Sequence, residues 1–393
     1  MKKIIVALGL CLPLMAVAQD NLVKSLDKNA SDSSKAKFTF KEVIALSNTS
    51  VKNQASSGTC WSYSTNSFLE SEMVKAGKTP VELAPLFSAR NIYNDKAETY
   101  IKMQGNSSLG DGGECHDVIN MYAKYGAMPQ KLYTGLHYGF SKNKFAEMQG
   151  VLKAMLEVYV KNPNGRLSPN WKEAYNAVLD SYLGKVPETF QWEGKTYTPK
   201  TFAKEVVGLN PDNYVEFLCY ADKPYYKKTM MMVSDNWAMQ EAYNVKMNDI
   251  TTIIDNALKN GYTIAWATDV SEKSFSWKNG VAYVPEKDYD DMSDDEKKKM
   301  FDGPQPERVI TPELRQEGID NYSTTDDHGM HIVGTAKDQT GREYYIVKNS
   351  WGTTNDYKGY LYVTKAYVLY KTTAFLLNKN AVPQDLRSKM SIN

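Results

Sequence analysis

The stretch Gln54-Ala55-Ser56-Ser57-Gly58-Thr59-Cys60-Trp61 decides how this chain is read. It places a cysteine where a loop gives way to a helix, with a glutamine six positions earlier. Apolar residues at Trp61, Phe68, Leu69 and Met73 have the spacing of one helix face, and Lys75 and Gly77 mark a helix end. A thiol at a helix N-terminus meets the positive end of the helix dipole, which favours the thiolate, the nucleophilic form. A lone cysteine is more often a small buried core residue. The rest of the chain supplies the partners that a nucleophile requires.

The 393 residues suffice for one large domain or two ordinary ones, and a 42% hydrophobic share is enough to bury a sizeable core. A formal net charge of +1 argues against nucleic acid or an anionic membrane surface as a main partner. The 27 tyrosines are read as packing residues. At the N-terminus, Lys2 and Lys3, the apolar run Ile4 to Met15 and the small residues Ala16-Val17-Ala18 form a signal-peptide pattern over 1–18. The run is shorter than the roughly 20 residues that span a bilayer, and no other segment is long and apolar enough. The expectation is an exported protein, periplasmic or extracellular, beginning at Gln19 with a polar, mobile leader over 19–37. Cys60, Cys115 and Cys219 then remain, an odd number that leaves room for a free thiol and makes no disulfide framework. Whether Cys115 and Cys219 pair depends on their separation.

Helical patterns come first. The Cys60 segment is followed by Leu83 to Met103, a glycine-rich loop at Gly110-Asp111-Gly112-Gly113, and His116 to Tyr125 closed by Gly126. The stretch from about 141 to 322 reads as mainly helical, with Lys144 to Val160, Trp171 to Tyr182 and Asp249 to Lys259 as its clearest helices. The last of these leads into a strand at Tyr262 to Thr268. The charge run Asp288 to Lys299 reads as a solvated helix start, acids early and lysines late. After Tyr322 the pattern turns to strands at Gly329 to Ala336, Arg342 to Lys348, Gly359 to Lys365 and Lys371 to Leu377. Helices followed by a sheet imply an α+β fold.

A cysteine nucleophile needs a base, and the chain has four histidines, His116, His137, His328 and His331. His328 opens a strand, where a ring is held rigidly beside a cleft. His331 points to the other face of that strand; it and His137 are read as structural. Asn349, in Lys348-Asn349-Ser350-Trp351-Gly352 at the close of the next strand, can accept from one imidazole nitrogen and leave the other for the thiol. Trp351 can shield that bond from water.

These motifs, in this order, resemble the papain-like cysteine peptidases. Ser57 stands where the papain pattern has its first cysteine, and the Ser-Ser-Gly version resembles the bleomycin hydrolase and aminopeptidase C branch. Asp111-Gly112-Gly113, Lys124 to Pro129 and Lys358-Gly359-Tyr360 match that branch as well. From Cys60 to His328 the chain is far longer than the roughly 130–150 residues of papain, which resembles the helical insert of this branch. The resemblance implies a papain-like domain over 38–393 that hydrolyses peptide substrates. In it Cys60 is the nucleophile, His328 the base and Asn349 its orienter. Gln54 supplies the oxyanion hole with the Cys60 N–H, and Gly112, Gly113 and Trp351 line the cleft. It implies a homo-oligomer, a hexamer, and no cofactor. A metal at Cys115-His116-Asp117 is set aside, because three adjacent residues rarely converge on one ion.

Members of the branch carry a long C-terminal arm whose carboxylate meets the substrate's free amine and restricts cleavage to N-terminal residues. Here only Gln384 to Asn393 follow Pro383. Either this short tail reaches the cleft with Asn393 as the docking carboxylate, giving an aminopeptidase, or the cleft is open and endopeptidase action follows. A third reading is an inactive papain-like protein that binds peptides.

Overall fold

The computed structural model describes residues 37–393. The signal pattern and the leader before Lys37 lie outside the described residues. The cysteine helix α1 (Cys60–Lys75) is followed by α2 (Pro85–Lys102), α3 (Cys115–Tyr125), α4 (Ala146–Lys161), α5 (Trp171–Leu183) and α6 (Met247–Lys259). An eleven-stranded sheet carries the rest of the core. Its strands are β1 (Phe40–Ala45), β2 (Tyr214–Leu218), β3 (Lys228–Met230), β4 (Glu241–Asn244), β5 (Ile264–Thr268), β6 (Phe275–Ser276), β7 (Val281–Ala282), β8 (His328–Asp338), β9 (Glu343–Lys348), β10 (Tyr360–Thr364) and β11 (Thr372–Asn378). They run in the order β3-β4-β2-β11-β5-β8-β9-β10-β7-β6, with β1 beside the far half of β8. The four strands expected after Tyr322 are all present, and helices preceding strands give the expected α+β architecture.

Within 141–322 the structure adds short strands to the helices expected there. Helices α4, α5 and α6 are there, with the expected strand β5, and so are five further strands of the main sheet, β2, β3, β4, β6 and β7. The segment is woven into the sheet rather than set apart from it. Those five strands are two to five residues long, too short to show an alternating pattern in a sequence window.

The expectation of a one-faced α1 also changes. Fourteen of its residues, Cys60 through Met73, are buried, so it is surrounded rather than laid on a surface. It packs on β8 on one side and on α2 and α3 on the other. Several of its polar residues are bonded: Ser62 Oγ donates to the Pro85 carbonyl at 2.7 Å, Asn66 to the Ser62 carbonyl at 2.8 Å, and Ser71 Oγ to the Ser47 carbonyl at 3.0 Å. Small residues permit close approach, above all Gly329 on β8. A β-carbon there would lie 3.1 Å from Trp61 Cα and 2.9 Å from Ser64 Oγ.

Side chains alternate along the sheet. Ala265 and Leu376 join the core around Cys60 and α1, whereas Ile264, Trp266, Met330, Ile332, Phe375 and Leu377 join a second core with α6. The C-terminal tail belongs to the second. Gln384–Met390 is helical, and Leu386, Met390 and Ile392 are buried there. The described tail is thus anchored on the face of the sheet opposite α1.

Candidate active site

Two loops are stitched together to make the site. Asn53 bridges Trp351, the Gln54 N–H donates to the Ser350 carbonyl at 2.8 Å, and the Gly352 N–H donates to Lys52 at 3.1 Å. This pairing brings the glutamine loop against Asn349-Ser350-Trp351, nearly three hundred positions away in the chain. Gln54 is fully buried. Its Oε1 accepts from Ser350 Oγ at 2.6 Å and its Nε2 donates to the Ser57 carbonyl at 2.8 Å, so the amide plane is fixed.

Cys60 is the first residue of α1, 6% exposed, and its sulfur receives hydrogen bonds from the Gly329 and Trp61 backbone. His328 is the residue before Gly329, at the start of β8. His328 Nε2 donates to Asn349 Oδ1 at 2.7 Å. The same Oδ1 accepts from the Ser350 N–H at 2.7 Å, which identifies it as the oxygen and fixes the tautomer. Nδ1 is the ring nitrogen that Asn349 leaves over, and it is the one that could take a thiol proton. The Trp351 ring lies 4.5 Å from the His328 ring, centroid to centroid, inclined by 33°. Trp277 and Phe275 meet Trp351 edge-on at 5.4 and 6.1 Å and hold it in place.

Burial dominates the electrostatics. It pushes the Cys60 thiol up to about 12, with the charges of Asp326 and Asp235 adding to the rise and the two backbone bonds opposing it. It pushes His328 down to about 4 against the opposing pull of Asn349. A helix dipole alone would favour the thiolate, but here desolvation outweighs it. Each value describes exchange of one proton with solvent, which leaves a lone buried charge. A direct transfer from sulfur to Nδ1 would create opposite charges with no net charge, and would escape most of that penalty.

The glycine loop borders the helix start. Trp61 Nε1 donates to the Asp111 carbonyl at 2.9 Å, Asp111 Oδ2 accepts from the Gly58 N–H, and Gly113 packs on the Trp61 ring. Gly112 is covered by Asp235: a β-carbon there would collide with Asp235 Oδ2. Sequence reading missed Asp235, which sits in a loop without a motif, and it missed Ser350 as the anchor of Gln54.

The other candidates fall elsewhere. His331 Nδ1 lies 2.9 Å from Ser67 Oγ, which also accepts from Lys348 Nζ, on the α1 side of β8. His116 is paired with Glu216 at 2.7 Å. Burial alone would lower it, but Glu216 and Asp117 raise it to about 9. Cys115 and Cys219 are buried free thiols. Among the described residues no group of His, Cys, Asp and Glu is arranged to hold a metal, and no helix is long and apolar enough to cross a membrane. A groove of about 450 Å³ beside β1, lined by Leu46, Tyr357 and Tyr360 among others, contains none of the site residues.

Comparison with known proteins places the chain in a family. The model of the Peptidase C1-like family matches residues 91–393, a span that holds His328 and Asn349 and starts after Cys60. Aminopeptidase C of Lactobacillus delbrueckii subsp. lactis is 22% identical over 88% of this chain and 82% of its own. Bleomycin hydrolase of Mus musculus is 21% identical over 89% of this chain and 85% of its own. The crystal structure of pepW from Lactobacillus rhamnosis superposes with a TM-score of 0.71 at 20% identity, covering 94% of this chain and 91% of that one. The fold is papain-like, and the enzyme is a cysteine-type peptidase. The chain belongs to the Peptidase C1-like family, in the aminopeptidase C and bleomycin hydrolase branch of the papain-like cysteine peptidases.

Proposed function

We propose that this peptidase is an aminopeptidase working through Cys60, His328 and Asn349. The observation that carries the reading is the Cys60 sulfur bonded to the Gly329 backbone, with the adjacent His328 ring locked by Asn349 and covered by Trp351. His328 Nδ1 takes the thiol proton as Cys60 Sγ attacks the scissile carbonyl carbon. The tetrahedral oxyanion receives the second N–H of the Gln54 amide and the Cys60 N–H. As the C–N bond breaks, His328 returns the proton to the leaving amine, giving a thioester. Water, deprotonated by His328, then releases the acid and regenerates the thiol. Because burial disfavours either charge alone, the reactive ion pair forms by internal transfer.

The names of the relatives support removal of N-terminal residues. One observation favours endopeptidase action instead: the tail residues Leu386, Met390 and Ile392 are anchored in the core on the face of the sheet opposite α1, away from Cys60. A free-amine aminoacyl-coumarin compared with its N-acetylated twin decides between them. Preferential cleavage of the free amine is expected; equal cleavage of both would sink the aminopeptidase reading. Iodoacetamide at neutral pH should label Cys60 stoichiometrically, and labelling that survives His328→Ala unchanged would refute the catalytic pair. We further propose, from the branch resemblance, a homo-oligomer, checked by light scattering, and export through the N-terminal signal pattern, checked by N-terminal sequencing of secreted material.

A further inference from the structure

The loop Met231 to Gln240 is a closed, self-bonded structure. The Met231 N–H donates to the Gln240 carbonyl at 3.2 Å, joining its ends. Buried Asn236 donates to the Met231 and Gln240 carbonyls, both at 2.9 Å, and accepts from the Gln240 N–H. Trp237 Nε1 donates to Asp117 Oδ2 on α3 at 2.9 Å, pinning the loop beside the Cys60 helix. Its Asp235 carboxylate is thereby laid on Gly112, next to Gly113 and Trp61.

Two consequences follow. Because Asp235 lies on Gly112, the loop would stand in the path of an extended peptide that ran from Cys60 past Gly113. The group it meets is an anion. The Asp235 carboxylate has no hydrogen bond or ion pair among the described residues. Lys96, the cation whose field reaches it, donates instead to the Gly110 and Gly112 carbonyls at 2.9 and 2.7 Å. Asp235 is also close enough to the thiol for its charge to oppose the thiolate, as is Asp326. Asp326 lies against buried Glu114 and bonds Thr373 Oγ1. Asp235 and Asp326 thus put negative charge near the thiol, with Lys96 and His116 as the cations close by.

We infer that Asp235 receives the free α-ammonium of the substrate and that its loop closes the cleft beyond Gly112, so that a side chain within the chain does the work of a terminal carboxylate. The inference rests on the aminopeptidase reading and names the residue that sets it. The bound ammonium also offsets the negative field that opposes the thiolate, so a free amine promotes reaction as well as binding.

The test uses Asp235→Asn, which keeps shape and removes charge, and Asp235→Glu, which keeps charge. A charge-assisted hydrogen bond is worth about 1.5–3 kcal/mol, so kcat/KM on an aminoacyl-coumarin should fall roughly 10- to 150-fold in the Asn variant. The Glu variant should recover part of it. Cleavage of the N-acetylated twin should not fall, and iodoacetamide should alkylate Cys60 at least as fast as in the wild type. An Asn variant with wild-type preference for the free amine would overturn the assignment while leaving the aminopeptidase reading intact. Slower alkylation, or an equal loss on both substrates, would also overturn it, because the residue would then be merely structural. Wild-type enzyme that cuts both substrates equally would refute the aminopeptidase reading itself.

Discussion

The two walls of the cleft differ in kind. The proposed reacting wall, made by Gln54, Cys60, His328, Asn349 and Trp351, is largely buried, and burial pushes its thiol up and its imidazole down, toward their neutral forms. The wall beyond Gly112, made by Asp235, Asp326 and Glu114, is acidic, and burial raises Asp326 to about 6 and Glu114 well above the usual carboxylate range. The first is assembled from short motifs, the second from the loop at 231–240 and two element ends. Bond cleavage demands one fixed set of groups, whereas selection of a substrate end needs only charge and a stop, which a loop can provide.

The strongest way to break this contrast is at the thiol. Cys60→Ala should lower turnover by on the order of 10⁴- to 10⁶-fold, as loss of a nucleophile does in other hydrolases, with the melting temperature retained. Residual cleavage near the wild-type rate would remove Cys60 from the mechanism. Gln54→Ala comes next, with an expected loss of roughly 10²- to 10³-fold in kcat. Because Gln54 also bonds Ser57 and Ser350, circular dichroism must show an unchanged fold, and an unimpaired kcat would assign the oxyanion to other donors. Asp235→Asn, smaller still, should separate the walls by affecting free-amine substrates alone.

The tail offers a control that reaches neither wall. Leu386 is 2% exposed in the core opposite α1, so Leu386→Ala should cost about 2–5 kcal/mol in urea unfolding. The ratio of free-amine to blocked cleavage should stay the same. A changed ratio would tie the tail to the cleft after all.

The last effect is one of pH. His328 is held at about 4 by burial, below the roughly 6.5 of an unfolded chain. As pH falls through 6.5 the unfolded state binds the proton first, so stability is lost between about 6.5 and 4, by at most about 1.4 kcal/mol per pH unit. Glu114 and Asp326, raised by burial, act in the opposite direction, so the informative quantity is the difference between proteins. Wild type should lose more urea stability than His328→Gln between pH 7 and pH 5; equal losses would mean that His328 is not held neutral.

Much of the reacting wall was legible because its residues sit in contiguous patterns. Gln54 and Cys60 share one loop and helix start, His328 opens a strand, and Asn349 and Trp351 end the next. The helix at Cys60, the glycine loop and the four late strands could each be read from local spacing. The register that joins Asn53 to Trp351 could not, because pairing between distant segments leaves no local trace. Nor could the strands at 214–244, which are too short for alternation to show, or the burial of α1 on every side, since its Ser, Asn and Glu residues look solvent-facing until their partners are known.

By itself, then, the sequence determined which residues could carry the chemistry: a cysteine at a helix start, a histidine at a strand start and an asparagine to hold it. Local spacing fixes such features because helix and strand periodicities are properties of adjacent residues. Only the tertiary structure decided that burial would push the pair toward their neutral forms, that the tail would lie on the far face of the sheet and that Asp235 would rest on Gly112. Desolvation and the meeting of remote loops depend on what surrounds a residue in space, and no stretch of sequence records that.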